Sequence, residues 1–182
     1  MSLGLVVVVA LLGLETQDST ADVGRLLYTR VRSMNQYMIA LVREGYEGSS
    51  TFRELVDTLQ RSNVIVVVQP GLCAHGRIRS CLVSVNGSER DRHIRITVDP
   101  QHTIRNCLIA AIAHELQHAV EIAEHPDVVD ARGAIEFYRQ LAFGRCRDGL
   151  SEECETKRAL ETEKTVLVEL SRRQGSACSS CR

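Results

Sequence analysis

His114, Glu115 and His118 fall in the order His-Glu-x-x-His within the run Ile112-Ala113-His114-Glu115-Leu116-Gln117-His118-Ala119-Val120. On an α-helix, residues four apart leave the same face about one turn from each other. Two imidazoles so placed suit two nitrogen ligands of one tetrahedral zinc ion. Glu115, beside the first of them, can serve as general base on a zinc-bound water. The chemistry this points to is metal-assisted hydrolysis. A helix carrying two hydrogen-bonded histidines with no metal is the alternative.

The motif needs a helix under it. Cys107 to Ala113 and Ala119 to Ala123 are strong helix formers with an apolar stripe, so it falls mid-helix. Asp99-Pro100 reads as the start, with Asp99 as N-cap and Pro100 in the first turn, and His125-Pro126 ends the helix after about Glu124.

At these residues the chain resembles a known family. The run His114-Glu-Leu-Gln-His-Ala-Val-Glu-Ile122 is similar to small bacterial zincin-like metallopeptidases of the gluzincin type. The metzincin pattern does not fit. It places a glycine three residues, and a third His six residues, after the second His, where this chain has Glu121 and Glu124; His125 comes one residue late.

A catalytic zinc takes three protein ligands and leaves one position open. In gluzincins the third is a Glu on a later helix. Periodicity leaves several carboxylates on the last helix: Glu152 and Glu163 lie near the middle of its inner face, Glu155 towards the edge. The resemblance favours Glu155, because Cys154-Glu-Thr-Lys-Arg-Ala159, followed by Val166 and Glu169-Leu170, is similar to the family's ligand helix. Thermolysin-like relatives carry an Asp four residues further on that holds a ligating His. Here Ala159 stands there, so orientation must come from Glu121, a backbone carbonyl or another side chain. Among donors for a developing oxyanion, Tyr138 is preferred over His93, His102 and Arg95, because it lies on the helix after the motif. The expected substrate is a peptide or protein; in zincins an extended chain pairs with the sheet's edge strand.

The remaining chain supplies a scaffold. Asp22 to Arg43 has helical periodicity in Val23, Leu26, Leu27, Val31, Met34, Met38 and Leu41, with Gly45 and Gly48 ending it. Thr51-Phe-Arg-Glu54 reads as a capping box for a second helix, to about Gln60. The run around Val64-Ile-Val-Val-Val68 reads as a strand buried on both faces. Strands over Ser80–Asn86 and His93–Val98 make a hairpin around Asn86-Gly87. Pro126 to Phe143 reads as a helix, and Ser151 caps a last one from about Glu152 to Arg173. The fold class expected is α+β and zincin-like: two N-terminal helices, a small three-stranded, mostly antiparallel sheet on the motif helix, and two further helices.

At 182 residues, with 44% apolar content, the chain makes one domain, expected over residues 21–174. Twenty-two basic against 23 acidic residues leave no bulk attraction to nucleic acid, and four per cent aromatics offer no base-stacking surface. Leu3 to Leu14 is too short for a membrane span but matches the apolar core of a secretory signal, so residues 1–20 read as an export segment. Neither Lys nor Arg precedes that run, and no clear small-x-small cleavage site follows. Seven cysteines agree with an oxidising, periplasmic or extracellular location. Cys73/Cys81 and Cys146/Cys154 read as local disulfides, Cys107 as a buried thiol, and Cys178/Cys181 as part of a disordered tail over 175–182. Two rival readings remain: a zinc protein without catalysis, and a metal-free interaction domain.

Overall fold

The computed structural model describes residues 30–73, 79–101, 104–141 and 155–173. The export segment, the polar tail, Ser151, Glu152, His102 and the cysteines at 146, 154, 178 and 181 lie outside those residues. The described chain is α+β, with five helices and a mixed four-stranded sheet.

The elements are β1 (Val31–Arg32), α1 (Gln36–Gly48), α2 (Ser50–Gln60), β2 (Val64–Pro70), β3 (Ser80–Gly87), β4 (Arg92–Val98), α3 (Arg105–Ala123), α4 (Ala131–Leu141) and α5 (Lys157–Arg173). Strand order is β1-β2-β4-β3. This corrects the expectation of three mostly antiparallel strands. β1 is parallel to β2 and β2 to β4; only the β3–β4 hairpin is antiparallel. The hairpin folds back so that β4, not β3, sits beside β2. That choice puts the more apolar strand inside: Ile94, Ile96 and Val98 are all buried, while β3 carries the partly exposed Val83 and Ser84. Gly87 closes the turn at φ +154°, where a Cβ would stand 2.2 Å from the Asp91 carbonyl oxygen.

The first helix is also corrected. Val31 belongs to a strand, paired with Val66, so the apolar repeat over 22–43 is not one helix. The helix begins after Asn35, whose Oδ1 accepts from the amides of Tyr37 and Met38. It runs through Gly45 because that glycine is a contact, not a stop. A Cβ there would lie 2.7 Å from the Phe52 ring and 2.9 Å from Ile109. α2 is capped by Ser49, whose hydroxyl accepts from Phe52 N at 3.0 Å, rather than by Thr51.

α3 lies at the centre of the molecule. Residues 106–122 are all buried, so the helix is wrapped on every side, not only along an apolar stripe. The sheet covers one side; α1, α2 and α5 cover others. It starts at Arg105, five residues later than expected, because Asp99 accepts from Gln101 N in a local turn instead of capping it. Its C-terminus is held by Arg92, a guanidinium with 0% exposure. Arg92 donates to the carbonyls of Ile122 (2.6 Å), His125 (2.7 Å) and Ala123 (3.2 Å), and to Asn63 Oδ1 (2.7 Å). The three carbonyls lie at and just beyond the helix end, and a cation suits the negative end of its dipole.

The last two helices are shorter than expected. α4 begins at Ala131 because Asp130 Oδ1 accepts from Gly133 N at 2.8 Å and so caps it. α5 begins after Thr156, whose hydroxyl accepts from Ala159 N at 3.1 Å. Cys73 and Cys81 form the expected disulfide. Cys107 is buried, as expected, but it is disulfide-bonded and not a free thiol.

Candidate metal centre

One turn of α3 brings the two motif imidazoles together. His114 and His118 are edge-to-face, with ring centroids 4.9 Å apart, and their Nε2 atoms are 3.2 Å apart. Glu155 enters from the residue just before the Thr156 cap. Its Oε2 lies 2.9 Å from His114 Nε2. The three candidate ligand atoms, of His114, His118 and Glu155, lie within 4.8 Å of one another. Glu152 is outside the described residues, and Glu163 lies on the other side of the His114 ring, near Nδ1 at 3.4 Å.

The unpaired atoms test whether a metal ion fits. Glu155 Oε2 and His114 Nδ1 are buried and have no hydrogen-bond partner among the described residues. The 2.9 Å approach of Glu155 Oε2 to His114 Nε2 is an ion pair when that imidazole is protonated; with the imidazole neutral, the two atoms are lone-pair donors side by side. Ligands about 2.0–2.1 Å from a tetrahedral ion stand about 3.3 Å apart, close to the separation of the two Nε2 atoms. Two imidazoles and one carboxylate form a donor set for a divalent metal ion with one position open. The described side chains fit such an ion.

Each histidine also has a carboxylate behind its other nitrogen. His118 Nδ1 is 3.0 Å from Glu121 Oε2. Glu121 is buried, and its second oxygen accepts from the Thr156 hydroxyl at 2.7 Å. Thr156 thus links the segment carrying Glu155 to the carboxylate that orients His118. This answers the question left by Ala159: Glu121, on the motif helix itself, supplies the orientation. Glu163 faces His114 Nδ1 without hydrogen-bond alignment and is also 3.6 Å from Arg79 Nη2.

The electrostatics follow from this crowding. Burial alone would lower the pKa of His114, but Glu155 and Glu163 override it and raise it to about 10. Burial likewise works to raise Glu155, yet His114 holds it below the usual carboxylate range; Glu163 is held low first by His114. Without a metal, His114 is the cation that this acidic pocket retains. Glu115 shifts the other way. Burial pushes its carboxyl up, against the opposing pull of His114, His118 and Ser80.

Glu115 Oε1 accepts from Ser80 Oγ at 2.8 Å, while Oε2 is buried with no partner among the described residues. It lines a groove of about 220 Å³ with Arg79, Ser80, Ala111, His114, Glu155 and Glu163. The start of β3 forms one wall, α5 and the residue before it the other, and α3 the floor. Arg79 and Ser80 are the site residues that sequence reasoning missed. No local pattern marks them, because a strand brings them to the motif from more than thirty positions away.

Tyr138, expected as an oxyanion donor, lies away from the groove. Its hydroxyl donates to the His118 carbonyl oxygen at 2.8 Å, its ring packs edge-on against the His118 ring, and it does not line the groove. It braces the motif helix and is not placed as an oxyanion donor. His93 and Arg95 are exposed on the far face of β4, opposite the buried Ile94 and Ile96. The arginine lining the groove is Arg79.

Comparison with protein families, curated proteins and solved structures finds no match to this chain.

Proposed function

We propose that this chain is a zinc-dependent metallopeptidase with a zincin-like fold and a gluzincin-type site, in which His114, His118 and Glu155 hold the ion. One observation carries this reading: Glu115, with one buried oxygen unpaired among the described residues, lines the same groove as His114 and Glu155, whose ligand oxygen is unpaired as well. A buried polar atom without a partner costs about 1–3 kcal/mol, so several in one groove argue for a use that needs them free.

When bound, zinc would polarise the scissile carbonyl and make a nearby water acidic. The protein's own groups do the rest. Glu115 Oε2 takes the proton of the attacking water and passes it to the departing amine. Its raised pKa brings it closer to neutrality, where a group that must both accept and return a proton works best. Glu121 holds the His118 imidazole from behind, and Glu163 puts a carboxylate 3.4 Å behind that of His114. Arg79 provides positive charge on the groove wall for the developing oxyanion, the role first expected of Tyr138.

The substrate is an extended peptide. β3 is an edge strand, and no described strand pairs with its outer side. A peptide lying along it would gain main-chain hydrogen bonds and pass beside Ser80 and the groove. The Cys73–Cys81 disulfide and the disulfide-bonded Cys107 support export to an oxidising compartment. No helix among the described residues is long and apolar enough to cross a membrane.

Metal content tests this first. Protein purified without chelator should carry about one zinc per chain, and His118→Ala and Glu155→Ala should each lose most of it. Zinc retained by Glu155→Ala would move the third ligand elsewhere. Zinc-loaded wild type that cleaves unfolded casein no faster than Glu115→Gln would leave a zinc protein without catalysis.

A further inference from the structure

We infer that Ser80, the first residue of β3, is the positioning residue that makes Glu115 an effective base; the inference rests on the peptidase reading above. A carboxylate can turn about its terminal bond and offer either oxygen to solvent or to neighbours. Here one oxygen is tied down. Ser80 is buried, and its hydroxyl donates to Glu115 Oε1 at 2.8 Å. The Ala111 carbonyl is a weaker second acceptor at 3.3 Å. The hydroxyl has a single hydrogen, and the shorter approach to a carboxylate is the stronger bond. With Oε1 engaged, Oε2 is the oxygen left without a partner.

The donor sits on a rigid mount. On one side of Ser80, the Arg79 carbonyl oxygen accepts from Asp99 N at 2.8 Å. On the other, Cys81 is disulfide-bonded to Cys73. Ser80 itself pairs with Val98 of β4. The hydroxyl is thus fixed relative to the sheet, and Glu115 relative to α3. The hydrogen bond between them sets the angle at which the free oxygen meets the groove. Because β3 is also the strand proposed to take the peptide, substrate position and base position are referred to one element.

The test compares wild type, Ser80→Ala, Ser80→Thr and Glu115→Gln on three readouts: hydrolysis of internally quenched casein by the zinc-loaded protein, zinc affinity by chelator competition, and crystal structures showing the Glu115 carboxylate. Ser80→Ala should lower kcat about 10- to 100-fold with KM and zinc affinity within about twofold of wild type. Ser80→Thr should restore kcat to within about threefold, because it keeps the hydroxyl. The Ala variant's structure should show Glu115 turned or split between two positions. Three results would overturn the inference: Ser80→Ala turning over like wild type while Glu115→Gln is inactive, kcat and zinc affinity falling together, or an unmoved carboxylate in the Ala variant. If Glu115→Gln instead cleaves as fast as wild type, the peptidase reading fails, and Ser80 loses its role with it.

Discussion

Glu169 and Glu115 are both carboxylates set among helices, yet their oxygens have opposite fates. Glu169, on α5, accepts from the hydroxyls of Ser49, Ser50 (2.8 Å) and Thr51 (3.0 Å) and from Thr51 N at 3.2 Å. It closes the α1–α2 turn and sits at the start of α2, where negative charge is favoured. Burial works to raise its pKa, but those hydroxyls and the amide hold it below the usual range. Glu115 receives one hydroxyl on one oxygen and nothing on the other, and burial raises it. On the proposed reading, Glu169 is a placed carboxylate with both oxygens paired and Glu115 a working one with a single oxygen paired. Of the five unpaired buried side-chain atoms among the described residues, three belong to residues of the groove: His114, Glu115 and Glu155.

The largest effect should come from breaking the working carboxylate. Glu115→Gln keeps the shape and the Ser80 contact but removes the base. Turnover should fall about 10²–10⁴-fold while zinc content stays the same. Because its environment disfavours the charge, the metal-free variant should melt no lower than wild type at neutral pH. A marked drop in melting temperature would show that Glu115 belongs with Glu169 as a structural group.

Glu121 joins the two classes, since it is fully paired and yet serves the site. Glu121→Gln should weaken zinc binding about 10- to 100-fold, read by chelator competition, with little change in melting temperature of the metal-free protein. Thr156→Val should weaken it less, because one partner of Glu121 remains. Unchanged affinity in both would mean that His118 is oriented by α3 packing alone.

Acid and alkali should separate the two regions. In the metal-free protein His114 is raised from 6.5 to about 10. The stability it contributes is fully present below its unfolded value and is lost as pH rises from about 6.5 towards 10. Metal ligands must be deprotonated, so zinc should bind more tightly over that same window and cancel the alkaline loss. Glu169 works the other way: its contribution is present above its ordinary value of 4.5 and is lost as pH falls below it. Thermal melts at several pH values, with and without zinc, check both signs. An alkaline loss that persists with zinc bound would place the ion away from His114.

The motif triad was legible in the sequence because His114, Glu115 and His118 need only a helix to come together. Glu155 was reachable only through resemblance, since periodicity pointed equally to Glu152 and Glu163. Strand positions were legible from composition. Their order was not, because whether β3 or β4 lies beside β2 depends on which is buried in the finished sheet. Val31 fits a helical repeat and still pairs with Val66, a case of tertiary contact overriding local pattern. Helix starts moved wherever a polar side chain outside the expected position took the cap, as Asn35, Ser49 and Thr156 did. Tyr138 was read towards the site from its place in the chain; its direction depends on how α4 packs, which sequence does not state.

The smallest effect expected is on Glu169 itself, and it bears most directly on the contrast. Glu169→Gln removes the charge while leaving one oxygen acceptor and adding two donors that face three hydroxyls and an amide. The cost should be about 1–2 kcal/mol, below the full worth of several charge-assisted bonds because Ser50 is exposed and the cluster is partly solvated. It should appear as a lower denaturant midpoint with unchanged slope, flattening below pH 4.5 where wild type also loses the charge. Zinc affinity and casein turnover should stay at wild-type values, although α5 follows the segment that carries Glu155. If they fall as well, the α1–α2 turn and the metal centre are coupled through α5, and the division between placed and working carboxylates holds only locally.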